Sequence, residues 1–131
     1  MNAEQPEFLF REILDVLQER SLHLFGGLRG VRDDGLIHSA LASAENALFY
    51  GGGDLFDVAA AYAFHLAQAQ AFFDGNKRTA VAAMLVFLEG NGVHVSNTHD
   101  DAIYDAIIAF AERRMGKAEL AAFLRQSAGQ M

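Results

Sequence analysis

Two apolar runs separated by a short polar turn constrain this chain more than any other feature. Residues 55–70 are nearly all apolar, with Leu55, Phe56 and Val58 leading into a series of alanines that also holds Tyr62 and Phe64. Residues 77–89 are again mostly apolar after Thr79. A helix that is apolar on most sides must be buried on most sides. The two runs therefore predict a central, buried helix pair, joined at Phe73-Asp74-Gly75. The expected fold class is all-α, one compact domain over residues 1–131, with five or six helices around that pair.

The flanking segments fit this arrangement. Pro6 is placed where a first helical turn tolerates it, and Phe10, Ile13, Leu14, Leu17, Ser21 and Leu24 follow at close to helical spacing. Gly26-Gly27 ends that helix. Asp33 and Asp34 can cap a second, which carries Leu36, Ile37, Ala40 and Leu41 on one face. Asp54 caps the third, with Asp57 three residues on as the partner of a capping box. Gly90-Asn91-Gly92 closes the fourth. Val93-His94-Val95 suits a short extended piece. Thr98 with Asp101 predicts the cap of a fifth helix with Ile103, Ile107 and Phe110 inward, and a last helix after Gly116 buries Leu120, Phe123 and Leu124.

Composition narrows the function classes. With no cysteine, disulfides and thiolate metal sites are excluded. His23, His38, His94 and His99 are too scattered for a metal site. No apolar stretch reaches the length of a membrane span, and no signal peptide is visible at Met1-Asn2-Ala3-Glu4. A cytoplasmic location is expected. A formal net charge of −7 argues against direct nucleic-acid binding and against an anionic membrane surface.

One segment breaks the local rules. In Phe73-Asp74-Gly75-Asn76-Lys77-Arg78-Thr79, two cations stand at the start of a helix. There the helix dipole disfavours each by roughly 0.3–1 kcal/mol. The chain has only two lysines, Lys77 and Lys117. An anion at the unpaired N–H groups of the first turn would reverse the sign. Gly75 permits a tight turn and close backbone approach, Asn76 or Asp74 can cap the helix, Arg78 can grip phosphate oxygens and Lys77 adds a point charge. Asp74 suits a Mg²⁺ that bridges phosphates. The same residues also suit a plain turn with solvated cations, and composition alone leaves both readings open.

Phe72-Phe73-Asp74-Gly75-Asn76-Lys77-Arg78-Thr79-Ala80 resembles the signature of the Fic/Doc family, in its Doc (death-on-curing) toxin branch. Phe25-Gly26-Gly27, the run Gly30–Leu36, Ser39-Ala40-Leu41, Asp54–Ala60 and Leu85–Leu88 with Asn91-Gly92 are similar to the rest of a Doc domain. The resemblance implies an enzyme that uses ATP, or another nucleotide, with Mg²⁺ to modify a protein hydroxyl. For the Doc branch it implies phosphorylation of elongation factor Tu, a halt in translation, and a Phd-like antitoxin as partner. By position, Gly75, Asn76, Lys77, Arg78 and Thr79 would bind the nucleotide phosphates and Asp74 the metal.

The family motif opens with a catalytic histidine, usually followed by proline. Here the corresponding places hold Gln70 and Ala71. A glutamine orients a hydroxyl by hydrogen bonding but cannot take its proton. His65 lies five residues earlier, about 140° around a helix from Gln70, and is expected to be a packed or networked histidine. Two function classes follow: a Doc-like phosphotransferase with Gln70 in the base's place, or a module that binds nucleotide or antitoxin without turnover.

Overall fold

The computed structural model describes residues 6–49, 53–95, 109–110 and 112–128. Among these it shows five α-helices and no strand: α1 (Arg11–Phe25), α2 (Asp34–Phe49), α3 (Leu55–Ala69), α4 (Asn76–Gly90) and α5 (Lys117–Ala128). The all-α class is therefore as expected. Thr98, Asp101, Ile103 and Ile107 lie outside the described residues, whereas Phe110 is helical and buried.

Helix α3 is the axis of the domain. Val58 through Ala63 and Leu66 are all buried, because α2, α4 and α5 pack around it. Its alanines keep the helix thin enough for three neighbours to approach at once. Helix α4 buries Thr79, Ala80, Ala83, Met84, Phe87 and Leu88 and carries α1 on its far side. Tyr62 fills the gap between these layers. Its ring meets Phe87 at 5.1 Å, its hydroxyl donates to Glu45 Oε2 at 3.1 Å, and it accepts from the Leu9 N–H at 3.1 Å. A buried phenol without those partners would cost about 1–3 kcal/mol. Burial also raises both acids above their ordinary ranges, Tyr62 foremost by desolvation and then by the Glu45 charge, Glu45 by desolvation.

The caps explain where the helices begin. Asp33 Oδ1 accepts from Leu36 N at 3.2 Å and starts α2. Asp54 and Asp57 form the reciprocal capping box of α3, as their spacing predicts. Arg125 of α5 then reaches that same box, with Nε 2.9 Å from Asp54 Oδ2 and Nη2 3.4 Å from Asp57 Oδ1. The start of α1 differs from expectation. Pro6 lies in an irregular stretch, and α1 begins at Arg11 after Phe10, which supplies no side-chain cap. Val93–Val95 takes no regular structure; Val93 N–H instead donates to Leu88 O at 2.9 Å and finishes α4.

Candidate functional site

The turn between α3 and α4 is built by its own side chains. Gln70 ends α3 in the left-handed region, at φ 48° and ψ 45°. Gly75 precedes α4 in the same region, at φ 79°. Asn76 fixes the loop between them. Its Oδ1 accepts from Phe72 N at 3.0 Å, and its Nδ2 donates to Phe72 O at 2.9 Å. Buried Ala71 and Phe72 anchor the loop in the core.

This geometry corrects the expected capping. Neither Asn76 nor Asp74 caps α4; the cap position is Gly75, which has no side chain to offer. Asn76 is engaged with Phe72, and Asp74 Oδ2 accepts from Leu28 N at 2.6 Å. Among the described residues, the N–H groups of Gly75, Asn76, Lys77 and Arg78 find no backbone acceptor, while Thr79 N–H is spent on Gly75 O at 2.8 Å. The start of α4 is thus an open set of donors at the positive end of the dipole. Thr79 itself lies behind the site: its side chain is buried and Oγ1 has no hydrogen-bond partner.

A strap from the α1–α2 connection lies along the loop. Val31 and Phe72 form an antiparallel bridge. Arg32 N and Asp33 N donate to Ala71 O at 2.7 and 3.0 Å, and Phe73 N donates to Gly30 O at 3.1 Å. The Arg32 guanidinium places Nε at 3.0 Å and Nη2 at 2.6 Å from Gln70 O. Below the strap, buried Gln18 donates from Nε2 to Gly30 O and Asp74 O, at 3.3 and 3.1 Å. The sequence reading missed Arg32, Gln18 and Ser21 as site residues. The signal lay in Gly26-Gly27 and Gly30, whose positive φ angles shape the strap.

The end of α1 and the start of α4 flank an open cleft of about 540 Å³, lined by Gln70, Asp74, Gly75, Asn76, Lys77 and Arg78 with Phe25–Gly27 and Phe73 opposite. Arg78 is aimed rather than free: Nε donates to Ser21 Oγ at 2.8 Å, and its guanidinium carbon lies 4.7 Å from the centre of the Phe25 ring. Among the described residues, neither Lys77 nor Arg78 pairs with a carboxylate, although Arg11, Arg29, Arg114 and Arg125 all do. A second cavity of about 240 Å³, walled by Phe64, Phe110 and Met115 with Arg113, meets the first at Gln70 and Lys77. The arrangement can hold an anion against backbone N–H groups, neutralise it with two cations and present one amide, Gln70, beside it.

His65 faces elsewhere, as its angular offset predicts. Its Nε2 lies 3.4 Å from Lys117 Nζ of α5, and its ring meets Phe64 edge-on. Burial, and secondarily the Lys117 charge, hold the imidazole below its ordinary value of 6.5. Among the described residues no three His, Cys, Asp or Glu side chains gather into a metal-binding group. No helix there is long and apolar enough to cross a membrane.

Comparison with known proteins places the chain in a family. The model of the Fic/DOC family matches residues 7–88. The protein kinase doc of Escherichia phage P1 is 32% identical over 119 residues, covering 90% of this chain and 93% of its own length. The toxin Doc of Mycolicibacterium smegmatis is 45% identical over 97 residues, 72% of each chain. The matched segment runs through the strap, the open start of α4 and all of α3, and both relatives carry the name Doc: the chain belongs to the Fic/Doc family.

Proposed function

We propose that this chain is a Doc-like toxin that transfers phosphate from ATP to a hydroxyl of elongation factor Tu in the cytoplasm, under the control of a Phd-like antitoxin. The observation that carries the reading is the open start of α4, where four N–H groups without backbone acceptors stand beside Lys77 and Arg78 in one cavity. The phosphate chain of the nucleotide lies there, with Gly75–Arg78 supplying N–H donors, Arg78 gripping oxygens and Lys77 balancing charge. The residues present also fit a Mg²⁺ ion. Asp74 keeps Oδ1 without a hydrogen-bond partner among the described residues, and Mg²⁺ commonly takes only one or two carboxylates beside phosphate oxygens and water. When bound, the ion would neutralise charge on the phosphates.

In the transfer, the attacking hydroxyl oxygen bonds to the γ-phosphorus, the bond from that phosphorus to the β-phosphate oxygen breaks, and ADP leaves. Gln70 accepts a hydrogen bond from the hydroxyl and orients it, while the hydroxyl proton passes to water. Phosphoryl transfer rests largely on positioning and electrostatics, so Gln70 supports slow turnover. A general base typically contributes about 10²–10⁴-fold. Transfer of labelled γ-phosphate to elongation factor Tu should therefore rise by about that factor in Gln70→His. If Gln70→His folds and binds ATP yet transfers nothing, the second reading replaces the first: a module that binds nucleotide or antitoxin without turnover, which the absence of a usable base at Gln70 favours. Calorimetry with ATP and Mg²⁺ tests the binding half, since Arg78→Ala should bind more weakly than wild type. Pull-down of a neighbouring small acidic or amphipathic protein tests the antitoxin.

A further inference from the structure

We propose that Arg32 is a positioning residue that fixes the left-handed turn at Gln70, and with it the place of the Gln70 side chain between the two cavities. The proposal rests on the reading of the site given above. Gln70 is not glycine, yet it sits at φ 48°, a conformation that L-residues adopt only when the surroundings hold them there. Arg32 does the holding from two sides. Its guanidinium donates twice to Gln70 O, at 3.0 and 2.6 Å, and its own N–H donates to Ala71 O at 2.7 Å. The carbonyl it grips follows the last turn of α3, where the negative end of the helix dipole attracts a cation. The bridge between Val31 and Phe72 keeps the strap, and so the guanidinium, in register. Arg32 lines neither cavity, whereas Gln70 lines both. It therefore acts on a ligand only through Gln70. A lysine would supply charge without the two-donor fork.

Four proteins test this: wild type, Arg32→Ala, Gln70→Ala and the double variant. Arg32→Ala should lower kcat for phosphate transfer by roughly 10–100-fold, the scale set by small displacements of a catalytic group, while the ATP–Mg²⁺ Kd from calorimetry stays within about twofold because Lys77 and Arg78 are untouched. In the Gln70→Ala background the same change should cost nothing further. Equal losses in both backgrounds, or a Kd that weakens in step with kcat, overturn the proposal. NMR judges it separately from turnover. In Arg32→Ala the side-chain amide resonances of Gln70 should shift and broaden, and Gln70→Gly in that variant should return the Ala69 and Ala71 backbone shifts to those of Gln70→Gly alone, since glycine holds the turn unaided. Unmoved Gln70 resonances in a folded variant refute the role even if the chain transfers no phosphate. Should Arg32→Ala fail to fold, Arg32→Lys carries the same measurements with a smaller expected displacement.

Discussion

Asn76 separates what holds the loop from what binds the anion, and two substitutions there should rank in opposite order in two assays. Asn76→Ala removes both bonds to Phe72. A part-buried N–H and carbonyl are left to find water, at a cost of about 2 kcal/mol for the pair. For a domain of this size that lowers Tm by about 6–10 °C. Asn76→Asp keeps an acceptor for Phe72 N but sets an oxygen against Phe72 O. The loss, about 1–2 kcal/mol, is offset by about 0.3–1 kcal/mol from a carboxylate at the positive end of α4. The net drop in Tm is therefore about 3 °C. Binding inverts this order. A carboxylate placed in the first turn of α4 repels a phosphate held there, by about 1 kcal/mol at 4 Å in water and more in a partly enclosed cavity. Asn76→Asp should thus bind ATP–Mg²⁺ at least about fivefold more weakly than Asn76→Ala, and added salt should narrow the gap. Thermal melts and calorimetry on the same preparations decide it. If the more stable variant is also the tighter binder, no anion sits at this helix start.

Other perturbations give equally direct outcomes. His65 is held below 6.5 in the folded chain, mainly by burial, so between the two values the unfolded chain binds more protons and stability falls as pH drops through about 6.5; urea midpoints at pH 7.5 and 5.5 should differ less in His65→Gln than in wild type. Asp54 is held at about 2 against an ordinary 3.8, chiefly by its hydrogen bonds from Arg125. It therefore stabilises the fold above about 3.8 and loses that contribution as pH falls towards 2. The pair is half-exposed, so solvent screening keeps its contribution small. Arg125→Ala should melt slightly lower at pH 7, with the gap closing as pH falls from about 3.8 towards 2. Gly27→Ala places a Cβ 2.9 Å from Leu22 Cδ2 and 3.0 Å from Asp74 Cβ, at φ 125°; it should destabilise the fold and weaken ATP–Mg²⁺ binding together, where Gly90→Ala, at the far end of α4 with open space around its Cβ, should leave binding unchanged.

Much of the architecture was legible because it depends on single-helix patterns. The apolar runs, the capping box at Asp54 and Asp57 and the glycine stops are each contained within a few residues, where periodicity and capping chemistry apply directly. The candidate anion site could be proposed for the same reason: Asp74 through Arg78 are contiguous, and cations at a helix start contradict the dipole. What stayed hidden involves pairs far apart in sequence. Nothing local marks Arg32 as the partner of Gln70 O, or Ser21 as the seat of Arg78; Ser21 read as one place in an apolar stripe because a buried hydroxyl with a distant donor keeps the same spacing. The role of Asn76 was misread because Asn before a helix commonly caps it, whereas here the left-handed Gly75 turns the chain so that Asn76 becomes the first helical residue and reaches back to Phe72.

The strap has a consequence for the order in which the protein assembles. Its bonds join partners separated by 12 to 46 residues, from Gln18 with Gly30 to Leu28 with Asp74. Helices form locally and fast, whereas such distant closures wait for the chain entropy to be overcome. Every partner nevertheless lies before α4 is half complete, and none comes from α5. During synthesis the strap is therefore able to close on the start of α4 while α5 is still being made. The second cavity, walled by Phe110 and Met115, and the clasp of Arg125 on the start of α3 are added only with the last stretch of chain. On the proposed reading of the start of α4, phosphate binding would then precede completion of the wall beside Gln70.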